Sequence, residues 1–424
     1  MRLLSKIYKT EKKNKHTRVY LFGIKIFKYK NKKQNHHKNY NNILKKIKKQ
    51  KDPIKVIFLV SENQKWQYQD LYDCFEKDKR FQPLVLISLL TAVHEGIDKT
   101  RNNLEENYNF FKSRGMNVEY CYQNGEYLSL KNFNPNIVFY EQPWDLPYIY
   151  MPENVSAYAL TFYENYFYLG MFERDIDDVM TDFHKSLFRF FIPNDEIMDL
   201  MVKRHEYFKK ICVSIGYSKL DKFTESIISK NKVGKNAKKV IYAPHHSFEQ
   251  EGDKLATFQN NGRQILELAQ KYPEITWIFK PHPRFKHAVL SNKIMSEKEI
   301  EEYYNAWEKI GVVYTQGDYI DIFKSSDLMI TDCCSFLAEY LVTEKPLIRL
   351  CNKGGRSFTE FGETITSGYY AISDYENLEN VFNQIISGED SKKEYRQTLV
   401  KKVMDKKEKA SMKIHKYISN LIFS

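Results

Sequence analysis

At 424 residues the chain is too long for a single hydrophobic core and fits two domains with extensions, and its apolar content of 42% rules out a disordered polymer. The net charge of +12 is concentrated at one end: residues 1–51 carry 18 Lys/Arg against one acid, Glu11, while the other 373 carry 48 against 53. The body is therefore acidic, and with no recognisable nucleic-acid-binding motif the chain is expected to have no nucleic-acid partner.

The elements follow in chain order. Residues 1–51 read as a basic N-terminal extension in which Val19 to Phe27 is apolar and aromatic. Polybasic segments with interleaved apolar groups bind anionic membrane surfaces. Asp52-Pro53 ends the extension. A first domain, 52–228, then alternates strands and helices: KVIFLV at 55–60, a helix around Lys65–Asp78, LVLISLL, a helix over Lys99–Arg114, NVEYCY, and NIVFYE ending at Glu141. Such alternation specifies a parallel sheet covered on both faces. Residues 182–209 read as two helices broken at Pro193, and 211–221 as a strand and turn. Ser229 to Lys239 reads as the linker.

A second domain, 229–390, continues with strands at 240–244, 275–280, 312–314, 327–331 and 346–350. Helices are expected at 257–271, 297–309, 319–325, 336–344 and 375–387, then one long Lys-rich C-terminal helix within 391–424. Six cysteines, at 74, 121, 212, 333, 334 and 351, form no Cys-x-x-Cys pair, which fits a reducing compartment. Met1 to Lys15 lacks the apolar core of a secretory signal, and the apolar stretch near Leu84 to Leu90 is far too short to span a bilayer. The expected location is the cytoplasm, peripheral on the inner face of the cell membrane.

Two segments carry the chemistry. Phe279-Lys280-Pro281-His282-Pro283-Arg284-Phe285 follows one buried strand, and Asp327 to Leu341 contains another strand, a small polar loop and a helix. In open α/β sheets ligands bind beyond the carboxyl ends of the strands. Prolines on both sides stiffen the loop around His282. Ser335 reads as the N-cap of a helix from Phe336, whose free N–H groups and dipole would face an anion. Glu339 lies four residues on, on the same face, placed for a sugar hydroxyl. Asp332 is either a strand-end cap or a buried acceptor that orders the loop, and Cys334 belongs to that loop. His245-His246 follow another strand end. Adjacent side chains point in roughly opposite directions, so one of the pair should face the cleft. Metal binding needs three or four converging ligands, and only these two histidines and His282 fall at strand ends in this domain, so no metal is expected. Phosphate loops of the G-x-x-x-x-G-K-[ST] and G-x-G-x-x-G types are absent, and no cofactor is expected.

The order strand, KPHPR, helices, strand, SSDLMITDCCSFLAEYL and KPLIRL resembles the nucleotide-binding half of the CDP-glycerol glycerophosphotransferase-like family, which builds teichoic acids and capsular polymers. YAPHHSFEQEG, from Tyr242 to Gly252, is also similar to the strand-loop opening that family's second domain. The resemblance covers roughly residues 136–350. It implies a GT-B architecture: two Rossmann-like α/β domains with parallel sheets facing across a cleft, and a C-terminal helix that crosses back onto the first. It also implies a CDP-linked donor held by the second domain and a polysaccharide or lipid-linked acceptor held by the first. Donor binding then falls to His245, Lys280, Arg284, Asp332, Cys334, Ser335 and Glu339, and catalysis to His282, His246 and Glu164. Gly354-Gly355-Arg356 could close over the donor.

The chain departs from the family's pattern at one place. The founding members carry a Trp-His-Gly-Thr segment whose His is a catalytic candidate. Here the corresponding stretch reads Ala159-Leu160-Thr161-Phe162-Tyr163-Glu164-Asn165-Tyr166. Glu164 ends a strand-like run and is the candidate base. Two other readings stay open: a GT-B glycosyltransferase using a nucleotide sugar, with the same phosphate-binding residues, and a non-catalytic scaffold of a polysaccharide assembly complex.

Overall fold

A computed structural model describes residues 8–13, 16–21, 24–30, 36–97, 103–224, 237–248, 254–315 and 319–424. Most of the expected linker lies outside the described residues. The first domain is built on β1 (Ile54–Val60), β2 (Phe81–Ile87), β3 (Val118–Tyr120), β4 (Ile137–Tyr140), β5 (Leu160–Glu164), β6 (Arg189–Ile192) and β7 (Cys212–Ser214). They pair in the order β7-β6-β5-β4-β1-β2-β3, all parallel. The central strands bury both faces, so they read as unbroken apolar runs. Along β1, Ile57 and Leu59 enter one core while Val56, Phe58 and Val60 enter the other. The wealth of phenylalanine has a use here. Phe58, Phe139, Phe162 and Phe191 stack in a row across four adjacent strands, with successive centroids 5.2, 5.3 and 5.6 Å apart.

The second domain repeats the plan with β8 (Lys239–Ala243), β9 (Thr276–Phe279), β10 (Gly311–Val313), β11 (Leu328–Thr331), β12 (Leu347–Leu350) and β13 (Tyr370–Ile372). Their order is β10-β9-β8-β11-β12-β13, again parallel. Each sheet therefore reverses its strand order once, between β1 and β4 and between β8 and β11. Those reversals are where doubly wound sheets open a crevice for ligands. The fold is α/β of the GT-B type, as the sequence implies.

Three expectations change. Residues 182–209 are not two helices: Arg189–Ile192 is β6, set between a short helix Asp182–Lys185 and the helix Asp195–Arg204. The run FRFFI is buried on both sides by β5 and β7, and that burial outweighs its weak helical pattern. The basic extension is not a tail through residue 51. Tyr8–Lys13, His16–Leu21 and Ile24–Lys30 form a three-stranded antiparallel sheet, and His36–Ile47 is a helix. Tyr40, Ile43 and Ile47 of that helix are buried in the first domain's core, where the Tyr40 hydroxyl lies 2.5 Å from Thr161 Oγ1 and 2.5 Å from the Ser186 carbonyl. The C-terminal helix is two helices, Lys393–Val403 and Ala410–Phe423. The second returns to the first domain, burying Ile414, Ile418 and Ile422 there. Asp221 caps it, accepting from the amides of Ala410 and Ser411 at 2.8 Å each. All six cysteines are free, and among the described residues no helix is long and apolar enough to cross a membrane.

Candidate active site

The second domain's crevice is lined by the loops after β8, β9 and β11. Asp332, directly after β11, is buried and accepts from the amide of His245 at 2.6 Å and from the amide and hydroxyl of Thr257 at 2.7 and 2.9 Å. It is the loop-ordering acceptor, tying the turn after β8 to the one after β11. Burial raises its pKa to about 6 despite those three donors.

The loops so fixed bring His245, His246 and His282 together. Ring centroids lie 4.4 Å apart for His245–His246, 5.2 Å for His245–His282 and 3.9 Å for the stacked pair His246–His282. The expectation that only one of the adjacent pair would face the cleft is corrected: the backbone turns after Pro244, so the strand's alternation no longer applies. One ligating atom from each ring falls within 4.8 Å of the others, a set of the size a transition metal needs. The hydrogen bonds argue for a different use. Nδ1 of His282 accepts from the Arg284 amide at 3.1 Å, and Nδ1 of His245 from the Ser247 amide at 3.2 Å. An accepting Nδ1 puts the proton of a neutral imidazole on Nε2. A metal would require that nitrogen bare; an anion requires the N–H. Burial, then neighbouring positive character, holds His245 and His282 well below the usual histidine pKa, so both are neutral donors near pH 7.

The cations are less simple than the sequence implies. Lys280 is buried, its Nζ 4.9 Å from the ring centroids of both Tyr319 and Phe336. Burial lowers its pKa to about 8. Arg284 is exposed and heads the helix Phe285–Ser291. Arg356 pairs across the domains with Asp175 at 3.6 Å and adds to the positive field at His245. Its loop is pinned to the first domain: Thr359 Oγ1 donates to the Gly170 carbonyl at 2.6 Å, and Phe358 stacks on Phe172 with centroids 4.5 Å apart. Gly362 is required there, since a Cβ would stand 2.0 Å from the Met171 carbonyl oxygen. Gly354-Gly355-Arg356 thus sits between the domains.

Two donor-side expectations are revised. Ser335 occupies the start of the helix Phe336–Leu341 but in helical geometry, so its hydroxyl does not cap and instead meets Cys333 Sγ at 3.3 Å. Cys334 beside it is half-buried. Glu339 is buried, and its carboxylate is committed to the Tyr319 hydroxyl and, at 3.3 Å, to Lys219 of the first domain. It therefore joins domains rather than meeting a ribose. Glu339→Ala would strand Lys219 beside Lys280. Removing one partner of a buried pair costs about 3–5 kcal/mol, so the melting temperature should fall by several degrees in calorimetry, while Glu339→Gln should retain most of it.

Across the cleft, Glu164 ends β5 fully buried, and both its oxygens are engaged by Ser218, Oε1 from the amide at 2.9 Å and Oε2 from the hydroxyl. Glu141 had no part in the sequence reading of the site, although it ends β4 at the strand-order reversal. It is equally buried, and Oε2 accepts from the amides of Ser61 and Glu62 at 2.9 and 3.0 Å. Oε1 of Glu141 has no protein partner. Burial raises both carboxyls to a pKa of about 8. Lys65, close enough to act on Glu141, is paired with Glu62, bonded to Gln142 at 2.6 Å and 5.3 and 6.0 Å from the ring centroids of Trp144 and Tyr166. The signal that could have found Glu141 is an acid terminating an otherwise apolar strand.

The comparisons with known proteins agree with this fold. A comparison with curated protein sequences gives no match. UDP-GlcNAc 2-epimerase from Neisseria meningitidis, bound to UDP-GlcNAc, superposes with a TM-score of 0.52 at 13% identity, over 87% of this chain and 99% of its own. The S. aureus MnaA–UDP structure gives 0.55 at 14%, over 88% and 98%. The wall teichoic acid polymerase TagF gives 0.55 at 12%, over 92% and 98%. These likenesses carry the fold alone. The sequence model of CDP-glycerol:poly(glycerophosphate) glycerophosphotransferases matches residues 176–418, more than half of the chain. The protein is a transferase of the glycerophosphotransferase family.

Proposed function

We propose that the protein transfers glycerol phosphate, or a related alditol phosphate, from a CDP-linked donor to a hydroxyl of a surface glycan or polymer, and releases CMP. The observation that carries this reading is the histidine cluster at the β8/β11 reversal, with two imidazoles fixed by backbone amides as Nε2–H donors. A diphosphate bound there exchanges water for oriented N–H groups that need no reorganisation during reaction. The acceptor oxygen forms a bond to the β-phosphorus, the bond from that phosphorus to the CMP oxygen breaks, and the hydroxyl proton leaves to a base. His245 and His282 donate hydrogen bonds to the diphosphate, and Arg284 at the rim supplies positive charge. Asp332, Ser335 and Cys334 shape the loop that receives it. Lys280 and Glu339 set the field behind it, and His246 stacks on His282.

For the base we favour Glu141 over Glu164, because Glu141 keeps an unpartnered oxygen. It takes the proton directly or through one water. The fold raises its pKa chiefly by burial; Glu62 adds to the rise, and Lys65 with the amides of Ser61 and Glu62 opposes it. The ionised form is the active one, so kcat/KM should climb with pH until about 8. Glu141→Gln should lower kcat by about 10²–10⁴ and flatten that limb. An unchanged pH profile in Glu141→Gln removes it from the chemistry.

The reading is tested by incubating the pure protein with CDP-glycerol, other CDP-alditols and UDP-sugars. CMP as product supports it. A nucleoside diphosphate instead makes the protein a nucleotide-sugar glycosyltransferase, and donor binding without turnover makes it a scaffold. The basic N-terminus, which leads into the acceptor-side domain, binds an anionic membrane surface and so localises transfer to the inner membrane face.

A further inference from the structure

We infer that the first domain's rim at Lys65, Gln142, Trp144 and Tyr166 is a subsite for a neutral pyranose ring, the terminal sugar of the acceptor. The inference rests on the transfer reading above and adds the chemical class of the acceptor end.

Four observations carry it. Trp144 lies on the loop directly after β4, at the strand-order reversal, and is 38% exposed, although most large aromatics of this domain are fully buried. Indole is an apolar plate with room for the C–H face of a sugar ring. Around it stand hydrogen-bonding groups in the number a pyranose needs. Lys65 Nζ lies 5.3 Å from the Trp144 ring and gives two of its three donors to Glu62 and Gln142. The Gln142 amide is oriented by its bond to the Trp144 carbonyl at 2.8 Å.

The charge balance selects the ligand. Lys65 is neutralised by Glu62, and burial, raising the Glu141 pKa to about 8, keeps that neighbouring carboxyl mostly protonated near pH 7. A phosphate-bearing chain end would meet the Glu62 carboxylate and, among the described residues of the rim, no cation beyond the one already paired with it, whereas a sugar hydroxyl can both donate to a carboxylate and accept from an ammonium. Position completes the argument. Tyr166 packs edge-on against Trp144, centroids 5.0 Å apart, and feels Cys334 and Cys333 of the donor loop electrostatically. The aromatic pair thus reaches from the acceptor rim to the donor loop. A sugar on Trp144 would have its hydroxyls near Glu141 on one side and the donor loop on the other.

The test is saturation-transfer difference NMR on the full-length protein. The probes are the methyl pyranosides of glucose, galactose and N-acetylglucosamine, with glycerol 3-phosphate as the anionic comparison. At least one pyranoside should show saturation concentrated on the ring C–H protons. That signal should fall about tenfold in Trp144→Ala and in Trp144→Leu, which keeps apolar bulk without the ring. It should be unchanged in Tyr148→Ala, a neighbouring ring that is 68% exposed and outside the rim. Circular dichroism melts of each variant show whether it is folded, and the leucine variant decides if alanine is not. The inference is overturned if no pyranoside binds, if binding survives loss of the Trp144 ring, or if glycerol 3-phosphate alone binds in a Trp144-dependent way. CMP release from CDP-glycerol, measured on the same samples, reports separately on the transfer reading.

Discussion

His282→Ala should lower the transfer rate by about 10²–10³, the loss that follows from removing one preorganised donor to a developing negative charge. The fold should survive, because the backbone amide of His282 still donates to the Pro244 carbonyl, and the losses are confined to the loop: the ring contacts with His246 and His245 and the bond that Nδ1 accepts from the Arg284 amide. The substitution His282→Gln is the sharper probe. A glutamine amide presents an N–H near the position of Nε2 and cannot act as an acid or base near pH 7. Partial recovery in Gln over Ala identifies His282 as a hydrogen-bond donor to the diphosphate. Equal loss in both points to proton transfer through the ring. Activity of the alanine variant within about twofold of wild type would take His282 out of the site, since even one donor is worth more than that. Steady-state kinetics of CMP release from CDP-glycerol makes the measurement.

Truncation should separate the basic strands from the helix that follows them. Removing residues 1–51 strips Tyr40, Ile43 and Ile47 from the core. Losses of about 2–5 kcal/mol each rival a total domain stability of about 5–15 kcal/mol, so this truncation should yield insoluble or unfolded protein. Removing residues 1–35 leaves the helix His36–Ile47 in place and takes away 12 Lys/Arg and Glu11. That variant should melt near the wild-type temperature and still turn over donor. It should also stay in the supernatant with anionic vesicles, which the full-length protein should sediment with at low salt. Each lost Lys/Arg removes about 1 kcal/mol of attraction near the surface, screened over about 8 Å at physiological salt. If the 1–35 truncation still sediments with anionic vesicles, the membrane contact lies elsewhere.

The second domain was the more legible in sequence, and the reason is local. Its strands are short apolar runs closed by Pro, Asp or Gly, so pattern and structure agree within a residue or two from β8 to β12. β6 was hidden because Phe188-Arg189-Phe190-Phe191-Ile192 satisfies either period in so short a window; only its neighbours β5 and β7 decide. The helix His36–Ile47 was hidden by charge. Its lysines dominate the composition, while the three residues that matter, Tyr40, Ile43 and Ile47, are spaced along one face. At the site, the strand-end histidines were legible because a loop after a buried strand has few places to go. The link from Lys219 to Glu339, and the choice between Glu141 and Glu164, were not. Both depend on contacts between residues far apart in the chain, where sequence spacing carries no information.

The helix Ala410–Phe423 has a consequence for synthesis on the ribosome. It places Ile414, Ile418 and Ile422 in the same core as Tyr40 and Phe58, and Lys48 Nζ donates to the carbonyl of the final residue, Ser424, at 2.9 Å. The first domain is therefore completed by residues translated after the second domain. Until they emerge from the exit tunnel, the helix Gln69–Lys77 lacks its packing partner and Asp221 has no helix to cap. The second domain's sheet packs one face on a core drawn from residues 240–385, while its other face, with Ile241, Met329 and Leu347, shares a cluster with the first domain and with Leu399, Val400, Val403 and Met404. In a growing chain the first domain therefore cannot complete its core until the helix Ala410–Phe423 has emerged, and a chain released without residues 410–424 should leave that domain open to proteases and chaperones.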